Sequence, residues 1–197
     1  MDNFFGLGTC NSIYDGRRHV NVMYDIFIEA RRIADGESFM FKYINILKSP
    51  ASEATKAAQV KSILTETEYQ YLRYMGARYG VSEEELTTIL SGRTMFDKEM
   101  RTPAGYYAAD NWRLLTHMVY ATCLLPDRYR QNERELILGP IKGFISNVRG
   151  INYQYNTIST ASEALNECLD KGLRYFEDLP EIENHVIKKA QARFGSF

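Results

Sequence analysis

Three histidines (His19, His117, His185) and three cysteines (Cys10, Cys123, Cys168) are the residues of this chain best suited to hold a metal or attack a substrate. Their spacing assembles neither chemistry. A carboxylate-bridged metal site in a helix bundle needs Glu-x-x-His pairs, so that both ligands project inward from adjacent turns. The residues three before the histidines are Gly16, Leu114 and Ile182, none a carboxylate. There is no H-E-x-x-H run and no Cys/His cluster of zinc spacing. His117 and Cys123 fall about 240° apart around a shared helix and face different ways, which rules out a thiolate–imidazole pair. Asp25 and Glu29 share a helical face with Arg31 and Arg32 close by, a pattern that reads as a solvated charged face.

Glycine-rich phosphate cradles fail in the same way. Gly6-Leu7-Gly8-Thr9-Cys10-Asn11 lacks the third glycine and the preceding strand of a dinucleotide site. Gly139-Pro140-Ile141-Lys142-Gly143 places a lysine between glycines without P-loop spacing. Catalytic, cofactor-binding and metal residues are therefore expected to be absent. A helix-turn-helix is the nearest positive: Gly76, Gly80, Val81, Leu86 and Ile89 match its small, turn and core positions. Its second helix begins Ser82-Glu83-Glu84-Glu85, however, putting carboxylates where phosphates would lie, and like charges oppose such binding.

The elements that position these residues read as helices. From Val20 the residues Met23, Ile26, Phe27, Ala30 and Ile33 fall at helical spacing until Gly36. Phe39 to Leu47 alternates as a strand would but fits a short helix equally well. Residues 52–64 and 66–79 read as helices, the second stopped by Gly80. Ser82 with Glu85 forms a capping box, with Val81 and Leu86 as its hydrophobic staple, for a helix ending at Gly92.

Thr102 and Pro103 start a helix that could reach Leu125, roughly 35 Å long. Trp112, Leu115 and Val119 lie on one face and Leu114, Met118 and Ala121 on another, so it reads as the central core helix. Two further helices are expected over 127–138 and 140–148. Thr160 with Glu163 reads as a second capping box, followed by Ala161, Leu165, Cys168, Leu169, Leu173 and Phe176. Pro180 opens the last helix, with Glu181 and Glu183 in its first turn. The fold expected is mainly α, a bundle-like domain of eight or nine helices over residues 17–194, with at most a minor β element. An extended arm over residues 1–16 precedes it and a tail over 195–197 follows.

A chain of 197 residues with 45% hydrophobic and 25% charged residues can bury a full core. A net charge of −1 argues against a protein built to hold nucleic acid. An odd cysteine count without C-x-x-C suits a reducing, intracellular setting, Cys123 and Cys168 being read as small core residues. No signal peptide or membrane span is expected, since the most apolar run, Phe39 to Leu47, is short and contains Lys42.

Tyrosine outnumbers phenylalanine, 14 to 10, and suits protein interfaces. Ile151, Tyr153 and Tyr155 alternate with polar residues in an expected contact loop, and Phe4, Phe5, Phe194 and Phe197 put aromatic rings at the chain ends. An arm without periodicity does not order itself by packing alone, so a neighbouring subunit is expected to hold it. The functional expectation is a non-enzymatic structural subunit of an oligomeric assembly, most specifically a ring-type virion connector between phage head and tail. Its partners would be copies of itself or other assembly subunits, its location the host cytoplasm and the virion. The alternatives are a small-ligand binder or enzyme with a pocket near His117 and Trp112, and a helix-turn-helix regulator. The viral reading is an analogy of architecture alone.

Overall fold

The computed structural model describes residues 7–92, 108–125 and 154–195, with side chains described at 19–92, 112–125 and 156–195. The fold is mainly α. Among the described residues there are seven α-helices and one 3-10 turn, against the eight or nine helices expected. The helices expected over 127–138 and 140–148, and the Thr102–Pro103 cap, lie outside the described residues. The contacts divide the chain into two compact units. The first is Met1–Arg101 with Leu124–Arg134, and the second is Thr102–Cys123 with Glu135–Phe197.

The first unit holds α1 (Leu7–Lys48), α2 (Glu53–Ile63), α3 (Glu66–Arg78) and α4 (Glu83–Leu90). Helix α1 already runs through residues 7–16, where an irregular arm was expected, so glycine spacing alone did not prevent a helix there. Gly36 breaks α1 with φ 59 and ψ −141, a backbone conformation essentially reserved for glycine, and the helix then resumes. The ambiguous run Phe39 to Leu47 lies in this second half and is helical.

The first half of α1 buries Val20, Met23, Tyr24, Phe27, Ala30 and Arg31, one stripe at helical spacing. It packs against α3, while α2 packs against α4. Two capping boxes set the starts of α3 and α4. In each, the cap hydroxyl (Thr65 or Ser82) accepts from the N–H three residues on, and the glutamate there (Glu68 or Glu85) accepts from the cap N–H. The expected box at Ser82 is thus present, with Val81 and Leu86 both buried beside it. Gly80 turns the chain at φ 74, and the Val81 N–H donates to Gly76 O at 2.8 Å, which closes the α3–α4 hairpin.

The second unit holds α5 (Ala108–Leu124), α6 (Gln154–Asp170) and α7 (Leu179–Phe194), with the 3-10 turn Phe176–Asp178 leading into α7. Trp112, Leu114, Leu115, Met118, Tyr120 and Ala121 are all buried, together with the polar Thr116 and His117, so α5 is covered on all sides as a core helix is. Helix α6 corrects the cap expected at Thr160. It begins at Gln154, and the buried Thr160 donates its hydroxyl to Asn156 O at 2.6 Å from within the helix. Burial overrode the local cap signal: Thr157, Thr160, Ala161, Ala164, Leu165 and Cys168 form one continuous buried face. Among the described residues no helix is long and apolar enough to cross a membrane.

Candidate functional site

Three arrangements of polar and aromatic side chains stand out. In the first unit Arg31 leaves the charged face expected of it. Its guanidinium is buried, and Nη2 donates to both carboxylate oxygens of Glu68, at 3.1 and 3.0 Å, from a residue far along the chain. Glu68 also accepts from the Thr65 N–H at 2.7 Å, so one buried carboxylate serves both the ion pair and the helix cap. Arg32, by contrast, stays at the surface on Glu29, as expected. Asp25 remains exposed as a residue, yet desolvation of its carboxyl and the neighbouring Glu29 push it up to about 6. Beside it the Tyr24 hydroxyl meets that of Tyr43 at 2.7 Å and donates to Leu90 O at 3.3 Å. Burial raises the pKa of both phenols, so they remain neutral donors.

In the second unit the buried imidazole Nε2 of His117 hydrogen-bonds the buried carboxylate of Glu183. Tyr120 donates to Arg174 O at 2.6 Å. Trp112 is buried and stacks on Phe194 at 5.9 Å between ring centroids. Glu183, expected in the first turn of this helix, stands in the core, because it shares the buried face of α7 with Leu179, Ile182, Val186 and Ala190. On the surface Glu167 meets His185 at 2.7 Å and also Lys189, and these hydrogen bonds, Lys189 first, hold its carboxyl down to about 2. Both His117 and His185 are thus engaged by glutamates from another helix. Such pairs can fix helix register, and the His117 imidazole is fully buried.

The third arrangement is an outward apolar face on the second half of α1. Phe39 is buried and Tyr43 and Leu47 are partly covered, whereas Phe41 is 70% exposed and Ile44 is 38% exposed. Glu37 and Lys48 flank these two, also exposed. The inner face is anchored: a Cβ placed on Gly92, which has φ 84, would stand 2.7 Å from Leu47 Cδ2. The outer face has no such cover from the described side chains. Sequence reasoning missed it while deciding between strand and helix, although Phe39, Met40, Phe41, Tyr43, Ile44, Ile46 and Leu47 spread apolar residues over more than half the circumference of any helix formed there, more than one buried face needs.

The contact residues expected from sequence fare unevenly. Phe194 is 37% exposed at the end of α7. Tyr155 lies within α6 rather than in an extended loop, and nothing is described of its side chain. Phe4, Phe5, Tyr153 and Phe197 lie outside the described residues. Cys168 is buried, which raises its thiol pKa, and Cys123 is partly covered. Among the described residues no group of three or more histidine, cysteine and acidic side chains could hold a metal ion. Comparison with known protein families, with characterised proteins and with solved structures finds no match to this chain.

Proposed function

We propose that this chain is a non-enzymatic structural subunit of an oligomeric assembly. A ring-type connector between the head and tail of a virus particle is the most specific form of that reading, with the host cytoplasm and the assembled particle as its locations. The observation that carries it is the outward face of α1, where Phe41 stays 70% exposed and Ile44 38% exposed in a helix otherwise docked on its own unit. Contiguous exposed apolar surface is where soluble proteins meet partners, and Phe41 and Ile44 lie next to each other on one helix face. The near-zero net charge suits a protein that meets other protein rather than nucleic acid.

The rival readings draw less support. His117 and Trp112, around which a ligand pocket was expected, are 0% and 1% exposed, and the imidazole faces Glu183. The α3–α4 hairpin has helix-turn-helix form, but Glu83 and Glu84 are exposed at the start of α4, where the DNA backbone would pass.

Sedimentation velocity on the full chain, from low to high micromolar concentration, tests the assembly reading. Sedimentation that shifts to larger species with concentration supports it. A single monomer boundary at every concentration overturns it for any homomeric assembly.

A further inference from the structure

The exposed face of α1 carries its own complement. Glu37, Phe41, Ile44 and Lys48 recur at i, i+4, i+7 and i+11, one line along about three helical turns, and all four are exposed. The line has an acid at its N-terminal end, a base at its C-terminal end and two large apolar side chains between them. Turned about a two-fold axis and laid antiparallel on itself, it places Phe41 against Ile44 of the second copy. The same operation puts Glu37 against Lys48 at both ends. A parallel alignment would instead set Glu37 beside Glu37 and Lys48 beside Lys48, and like charges there oppose pairing. The ion pairs found among the described residues include neither Glu37 nor Lys48, so both charges are available for such a contact.

We infer that a second copy of this chain docks on this face, antiparallel and two-fold symmetric, with the Phe41 and Ile44 side chains interleaved and a Glu37–Lys48 pair closing each end. The inference rests on the assembly reading above and names its contact. A two-fold contact is isologous and closes at two copies, so the pair is the building block, and a ring would need a second contact elsewhere. Three turns of helix make a patch smaller than a standard interface, so the pairing is concentration-dependent rather than obligate.

Charge reversal tests the register. The full-length wild type, Glu37→Lys, Lys48→Glu and the double variant E37K/K48E are compared by sedimentation equilibrium at low ionic strength, with circular dichroism confirming equal helicity. Each single reversal sets like charges at both ends of the pair and is expected to weaken association about tenfold. The double variant restores opposite charges across the axis and is expected to return to within about twofold of the wild type, an outcome that loss of folding cannot imitate. Association of the wild type that either single reversal leaves unchanged, or that the double variant fails to regain, overturns this contact and leaves the assembly reading standing. A wild type that stays monomeric throughout overturns both.

Discussion

Each unit places a glutamate where water does not reach, and each glutamate has a basic partner from another helix. Arg31 and Glu68 have side-chain exposures of 8% and 0%, and His117 and Glu183 of 0% and 3%. A buried ion pair adds little net stability because desolvation offsets the attraction, yet removing one partner strands the other charge in the core. Glu68→Gln keeps the shape of the side chain and an oxygen for the Thr65 N–H while removing the carboxylate charge beside the Arg31 guanidinium. It is expected to lower stability by about 3–5 kcal/mol in urea unfolding. Thr65→Ala removes only the cap hydroxyl and is expected to lose about 1 kcal/mol. Equal losses from the two would contradict the account. Sequence reading found neither pair, placing Arg31 beside a solvated charged face and Glu183 simply in the first turn of its helix, although the clue was present. Arg31 follows the register of Val20, Met23, Phe27 and Ala30, Glu68 that of Tyr71, Leu72 and Met75, and Glu183 that of Leu179, Ile182 and Val186. A charge in an apolar register announces a buried partner; which residue supplies it depends on tertiary packing. Asp25 gives the residue scale its pH dependence. Its folded pKa of about 6 lies above the ordinary 3.8, so the folded state binds the proton more tightly and stability falls as pH rises between those values. Because Asp25 is exposed, Asp25→Asn is expected to gain at most about 1 kcal/mol at pH 7 and nothing below pH 3.8. Unfolding measured across that range checks both the sign and the window.

Local punctuation decides most of the elements, and here the sequence was most readable. Ser52, Thr65 and Ser82 cap α2, α3 and α4, and Gly80 and Gly92 end helices with φ of 74 and 84. The two glycines differ in a way that only packing reveals. A Cβ at Gly80 meets nothing within 4 Å, whereas one at Gly92 meets Leu47 at 2.7 Å. Gly80→Ala therefore incurs backbone strain alone, about 1 kcal/mol. Gly92→Ala must also displace Leu47 and is expected to lose about 2–4 kcal/mol. Thermal unfolding of the two variants separates the cases, and equal losses would deny the close approach of Gly92 to the second half of α1. Punctuation misled where burial continued through it. Thr160 and Glu163 have the spelling of a cap, but the buried face runs back to Thr157 and the helix follows it. The strand-like alternation of Phe39, Phe41 and Tyr43 misled for a related reason. With apolar residues over more than half of the helix circumference, the run carries no clean period of either kind, and as a helix it packs against Gly92 through Leu47.

At the scale of the whole molecule, the mainly α class followed from helical spacing and caps, while the division into two compact units had no counterpart in composition, since no linker-like stretch announces it. Function was the least legible level. The motif tests excluded familiar sites, and the aromatic residues singled out for contact fell mostly outside the described residues, whereas the face that now carries the proposal was hidden in an ambiguous run. Phe41 lies on the surface, so replacing it with a charge removes apolar contact area without opening the core and leaves stability within about 0.5 kcal/mol. The most direct test is the solution mass of the wild type and of Phe41→Glu, by light scattering after size exclusion at matched high micromolar concentration. The account expects the wild type to exceed the mass of one chain and Phe41→Glu, which lacks the two-fold contact, to have a lower mass than the wild type with helicity unchanged. A wild type that elutes as a monomer, or a Phe41→Glu variant that assembles as well as the wild type, would contradict it.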